Sequence, residues 1–124
     1  MSQLDLSVGD ILPEWSLPLT PTTIVSTAIA TRDFQDVHHD RDLAQSYGSK
    51  DIFLNILTTT GLVQRYVTDS LGNDVDLAGI SLRLGAPAYP GDELVFTGER
   101  DGDTVTVTGT VSLGDHVTAT VTLR

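Results

Sequence analysis

An α+β domain is expected from this chain, with an antiparallel sheet whose apolar face lies against one long helix. Three features carry that expectation. Residues 52–71 hold apolar side chains at three- and four-residue steps with few charges between them. Residues 104–123 alternate threonine or serine with valine, alanine and leucine, the pattern of strands covered on one side only. The dipeptides Gly91-Asp92, Asp101-Gly102 and Gly114-Asp115 punctuate the strand-like runs as turns, which makes neighbouring strands antiparallel.

The 124 residues form a single domain, residues 1–124. Domains near this size bury roughly two-thirds of the surface their unfolded chains expose. With 40% hydrophobic residues, the core needs no disulfide or metal staple. There is no cysteine, which excludes zinc–thiolate sites and thiol catalysis and fits a cytoplasmic chain. Met1-Ser2-Gln3-Leu4-Asp5 lacks the basic and apolar regions of a signal peptide, and no apolar run is long enough to span a bilayer. Seventeen acidic and seven basic residues give a formal charge of −10. Nucleic acid is therefore not an expected partner, because phosphate neutralisation supplies most of that affinity. A polyanionic small ligand would need the few cations gathered in one place, or cations borrowed from a partner chain.

In chain order, residues 7–13 read as a turn. In residues 14–19, Trp15, Leu17 and Leu19 alternate with other residues as a short strand, and Pro13, Pro18 and Pro21 put it at an edge. Residues 22–32 are rich in β-branched side chains, yet Ile24, Val25, Ala28 and Ile29 recur at helical spacing and Thr22 can cap. A helix is expected there. Residues 40–47 make a short helix capped by Asp40, with Leu43, Ala44 and Tyr47 on one face and Gly48 ending it. In the long helix, Ile56, Leu57, Thr60, Val63 and Val67 form the apolar face, Leu62 and Tyr66 widen it, and Gly72-Asn73 stops it. Residues 76–85 are a strand with Ile80, Leu82 and Leu84 on one face. Strands 93–100 and 104–113 follow, then a last strand with Val117, Ala119, Val121 and Leu123 inward. The long helix is the natural cover for the apolar face that these strands create.

Chemistry-bearing residues crowd into Thr31-Arg32-Asp33-Phe34-Gln35-Asp36-Val37-His38-His39-Asp40, which holds three aspartates and two of the three histidines. Asp33 falls just past the end of the first helix, where the dipole disfavours an anion. A residue that breaks a local rule points toward function. Asp33 and His38 can converge on one water if the backbone between them curls, which outlines a general acid–base pair. The plainer reading is an acidic turn that caps the next helix through Asp36 or Asp40. His39 is expected to point away from His38, and His116, read as part of a Gly-Asp turn, is expected at the surface. No further ligand cluster accompanies the two histidines, so no metal site is expected.

The run Asp33-Phe34-Gln35-Asp36-Val37-His38-His39-Asp40 resembles the hydratase signature D-F-N-P-x-H-x-D of the MaoC-like hot-dog family. Ile52-Phe53-Leu54-Asn55-Ile56-Leu57 stands where that family usually shows I-A-H-G-M-L at the start of its central helix. Pro87-Ala88-Tyr89-Pro90-Gly91-Asp92-Glu93-Leu94 is similar to its P-x-x-x-G-D-x-L turn. The likeness extends over most of the chain, from about Val8 to Leu123, and is nearest to the small subunits of heteromeric steroid enoyl-CoA hydratases. Gln35 and Asp36 replace the usual Asn-Pro, and Leu54-Asn55 replaces His-Gly.

The resemblance implies a hot-dog fold, a bent antiparallel sheet wrapped around a central helix. It implies hydration of an α,β-unsaturated steroid side-chain acyl-CoA in cholesterol or steroid degradation, with a second MaoC-like subunit as partner. Coenzyme A would be part of the substrate, and no separate cofactor is implied. Asp33 and His38 would be the catalytic residues. The backbone N–H of Asn55 would stand where the family's glycine meets the thioester oxygen. Gln35 would orient His38 or simply finish the turn, and Arg83 would be a coenzyme A contact or a plain surface arginine. Two other functions stay open at this point. One is a non-catalytic hot-dog subunit completing a partner's site. The other is a 3-hydroxyacyl-thioester dehydratase of fatty-acid metabolism.

Overall fold

The computed structural model describes residues 10–33, 35–72 and 75–124. Residues 7–9 of the expected first turn, Phe34 of the acidic stretch and Asn73 of the helix stop lie outside them. Strands β1 (Asp10–Ile11) and β2 (Trp15–Pro18) come first, followed by helices α1 (Pro21–Ala30), α2 (Arg41–Ser46) and α3 (Ile56–Leu71). A single 3₁₀ turn, Asp36–His38, separates α1 from α2. Strands β3 (Leu77–Leu84), β4 (Glu93–Asp101), β5 (Thr104–Val111) and β6 (Gly114–Leu123) complete one antiparallel sheet. Its order is β1-β4-β5-β6-β3, with β2 also pairing β4, so β1 and β2 share one edge and β3 forms the other. This is the expected α+β arrangement.

The threonine and valine alternation sorts the sheet into two faces. Val105, Val107, Val117 and Val121 are fully buried, while Thr106, Thr118 and Thr120 are exposed on the other side. Helix α3 lies on the apolar side. Its Tyr66 ring stacks on Phe96 of β4 at 5.6 Å, and Trp15 of β2 stacks on Phe96 from another direction at 5.4 Å. Complete burial of a side chain such as Phe96 is worth about 1.5–3 kcal/mol. The Tyr66 hydroxyl donates to the Pro13 carbonyl at 2.7 Å. Burial, aided by the charge of Glu14, pushes its pKa up to about 12.

Several boundaries differ from the expectations, each for a local reason. Thr20 caps α1 rather than Thr22, because Pro21 fits the first helical position, where no N–H is required. Helix α3 begins at Ile56 rather than at residue 52, because Asn55 adopts an extended conformation and its side chain accepts the Thr58 N–H. The face of α3 is rotated at its start: Thr58, Thr59, Val63, Tyr66 and Val67 are buried, whereas Ile56 and Leu57 are about half exposed. Asp10–Ile11 forms a two-residue strand against Glu99 and Arg100, where a turn was expected.

The last hairpin turns at Ser112-Leu113, with Val111 paired to Gly114, so Gly114-Asp115 belongs to β6. Beyond it the register skips one residue: Thr110 faces Asp115 and Gly109 faces Val117. His116 is the extra residue of a β-bulge. Gly109 must lack a side chain here, since a Cβ would come within 2.9 Å of a Val117 methyl group.

Candidate active site

Helix α1 ends in a turn that places Asp33. The Asp33 N–H donates to the Ala28 carbonyl at 2.9 Å and the Arg32 N–H to Ile29 at 3.0 Å. Arg32 takes the left-handed conformation between them, with φ 58°. These are the two bonds of a Schellman ending, normally built on glycine. Asp33 is thus hung by main-chain geometry just beyond the helix. Its Oδ1 accepts the Gln35 N–H at 3.3 Å, which starts the next turn, and the Gln35 carbonyl accepts the His38 N–H at 3.1 Å. Gln35 links the two residues through its backbone, and its side chain is exposed.

His38 is buried and held from two sides by Phe53. Its Nδ1 lies 2.8 Å from the Phe53 carbonyl oxygen, and the two rings meet edge to face at 4.9 Å. A carbonyl only accepts, so Nδ1 carries the hydrogen and Nε2 is left with a lone pair in the neutral ring. Nε2 lies 3.5 Å from Asp33 Oδ2. That separation is too long for a strong direct hydrogen bond. Two acceptors facing each other need a proton or a water hydrogen between them.

The start of α3 closes the site. The Phe53 N–H donates to Val37 at 3.1 Å and the Leu54 N–H to Ala88 at 3.1 Å, which ties this segment to the 3₁₀ turn and to the loop before β4. Asn55 is 1% exposed. Its Nδ2 donates to Thr31 Oγ1 at 2.8 Å and to Asp33 Oδ2 at 3.2 Å. The positive end of the α3 dipole therefore lies beside the Asp33 carboxyl group.

Asp33, His38, Gln35 and Asn55 are brought together; Arg83 is not. It is exposed on the outer face of β3, in register with exposed Thr118. His39 is exposed where His38 is buried. Among the described residues no group of three or more His, Asp or Glu side chains could hold a metal ion.

Two polar residues near the start of α3 have surroundings that the sequence did not disclose. His116, expected at the surface, is 2% exposed because the bulge turns it inward. Its Nδ1–H donates to Ala86 at 2.8 Å, and its Nε2 accepts from the Thr59 hydroxyl at 2.9 Å. Burial lowers its pKa below the ordinary 6.5, with the Ala86 bond acting in the opposite sense. Thr58 is also buried, and its hydroxyl has no partner among the described residues. By contrast, Thr27, Thr31, Thr60 and Thr68 all return their hydroxyls to the carbonyl four residues back.

The MaoC-like domain model matches residues 9–122. The chain is 62% identical over 121 residues to the 3-oxo-4,17-pregnadiene-20-carboxyl-CoA hydratase beta subunit of Mycobacterium tuberculosis, covering 94% of each. It superposes on a chain of the ChsH1-ChsH2 complex from Mycobacterium tuberculosis with a TM-score of 0.88 at 58% identity. That match spans 94% of this chain and 98% of the other. The (R)-hydratase of A. caviae involved in PHA biosynthesis shares the fold with a TM-score of 0.87 at 20% identity, over 97% of both chains. Among the described residues no helix is long and apolar enough to cross a membrane.

Proposed function

The chain belongs to the MaoC-like domain family, and we propose that it is a subunit of an enoyl-CoA hydratase acting on a steroid side-chain acyl-CoA. Its partner in this reading is a second MaoC-like chain, and its setting the cytoplasm, which a chain without cysteine suits. The observation that carries the reading is the approach of His38 Nε2 to Asp33 Oδ2 at 3.5 Å, with Nδ1 already committed to Phe53. A water donating one hydrogen to each acceptor keeps its oxygen lone pairs free to face a substrate.

Hydration then runs as a balanced exchange. The water oxygen bonds to the β-carbon while the Asp33–His38 pair takes one of its protons. The electrons of the double bond move onto the thioester as an enolate. The pair returns a proton to the α-carbon as the enolate collapses. Asp33 and His38 act as one coupled unit in this step. Asn55 N–H, at the positive end of α3, is the donor we assign to the enolate oxygen.

The partner is supported by what this chain leaves open. Ile56 and Leu57 are 49% and 55% exposed on the turn that follows Asn55, and Ile29 is 55% exposed on α1. A surface depression of about 420 Å³ lies elsewhere, between Ile11, Glu99, Thr106 and their neighbours on β1, β4 and β5. A second chain over the start of α3 would supply the missing walls of an acyl pocket.

The test is the reconstituted two-chain complex with 3-oxo-4,17-pregnadiene-20-carboxyl-CoA and the variants Asp33→Asn and His38→Ala. Each is expected to lower kcat by about 10²–10⁴-fold, the usual contribution of positioned proton transfer. Hydration at the parent rate by both variants would overturn the assignment.

A further inference from the structure

Asn55 occupies a position where a glycine is usual in the resembling sequences, and its side chain is fully engaged. Both amide hydrogens are donated, one to Thr31 Oγ1 at 2.8 Å and one to Asp33 Oδ2 at 3.2 Å. The amide oxygen accepts the Thr58 N–H at 3.3 Å. A flipped amide would set its oxygen against a carboxylate and its NH₂ against an N–H, so only one orientation satisfies the contacts. The Thr31 hydroxyl directs its own hydrogen to Thr27 or Ala28, at 2.9 and 3.1 Å, and keeps a lone pair for Asn55. A relay thus runs from the last turn of α1, through Asn55, to the carboxylate.

The relay ends on the oxygen that faces His38. Oδ1 of Asp33 is held by the Gln35 N–H at 3.3 Å, and Oδ2 by Asn55. Rotation of the carboxylate about its Cβ–Cγ bond would break one or both bonds. Asn55 is too deeply buried to be replaced by solvent in this role, with 1% of its surface exposed.

We infer that the side-chain amide of Asn55 is a positioning residue that aims Asp33 Oδ2 at His38 and so sets the rate and the pH dependence of the pair. The inference rests on the hydratase reading above. It is separate from the backbone N–H of Asn55, which every substitution below retains.

Asn55 also caps α3, and the experiment must divide the two roles. Asn55→Ser keeps a good capping oxygen but loses the amide donor. Asn55→Asp keeps both the shape and the cap, and places a second carboxylate oxygen against Asp33. Both are assayed in the reconstituted complex, with steady-state kinetics, a pH–rate profile and thermal denaturation. The expected result for Asn55→Ser is a kcat about 100-fold lower with little change in KM, since a misplaced reacting group costs on that order. For Asn55→Asp, the acid limb of kcat/KM moves to higher pH, because a neighbouring like charge raises a carboxyl pKa. A structural cap alone moves the melting temperature and neither kinetic readout.

Parent kcat and an unshifted profile in both variants would overturn the inference. Asn55→Asp decides alone if the serine variant fails to assemble. Asp33→Asn and His38→Ala serve as controls. If they too hydrate at the parent rate, the site reading itself has failed. If they are inactive while both Asn55 variants are unaffected, only the positioning role has.

Discussion

Arg32 holds the left-handed backbone conformation at φ 58° with a side chain exposed to solvent. A non-glycine residue there is strained by about 1–2 kcal/mol, and glycine recovers part of that after its own entropy cost in the unfolded chain. Arg32→Gly is expected to stabilise the fold by about 0.5–1 kcal/mol, read as a higher midpoint in urea denaturation at unchanged slope. The strain lies one residue from Asp33, where the backbone must turn for the carboxyl group to reach His38. The approach of Asp33 to His38 was readable from sequence, because their spacing and the place of Asp33 past a helix end are both one-dimensional facts. The work of Asn55 was not. Its contacts to Thr31 and Asp33 span 24 and 22 residues, and nothing in a capping residue announces such a partner.

Among the secondary-structure elements, β5 and β6 were legible because threonine and valine alternate almost without error, and burial follows the same period. The bulge was not, since one unpaired residue leaves the pattern intact on either side of it. It moves His116 from an expected surface position to the interior and makes it one group through which the fold responds to acid. In the unfolded chain His116 titrates near 6.5; in the fold, burial holds its pKa lower. Below 6.5 the unfolded chain therefore binds the extra proton, so stability is intact above that value and is lost as pH falls through this window. Melting temperatures measured from pH 7 to pH 5 should fall for the parent, and His116→Gln should lessen the fall. An equal decline in both would show that other groups govern the acid limb. The rotated start of α3 has a similar origin. Ile56 and Leu57 fit the apolar period and Thr58 and Thr59 do not, yet the two threonines are the buried pair in the helix that Asn55 caps.

Taken entire, the domain carries a net charge of −10 and only seven cations, and Arg83 stands on the outer face of the sheet. An anionic coenzyme is repelled by such a surface unless another chain contributes positive charge. Calorimetric titration of the isolated chain with coenzyme A is expected to show no saturable binding, and the two-chain complex to show it. Tight binding by the chain alone would remove the need for borrowed cations. The α+β architecture was legible at this level because apolar period and turn chemistry agree along most of the chain. The exposure of Ile56 and Leu57 at the start of α3 was not, and neither was any partner that would cover it, because a single sequence records only its own half of an interface. The three consecutive residues Phe53, Leu54 and Asn55 tie together Val37, Ala88, and both Thr31 and Asp33, segments far apart along the chain. No fragment of the polypeptide brings Asp33, His38 and Asn55 together, so under the proposed reading turnover would register the completed native state, and a loss of catalysis would give early notice that any one of those strands of chain has come away.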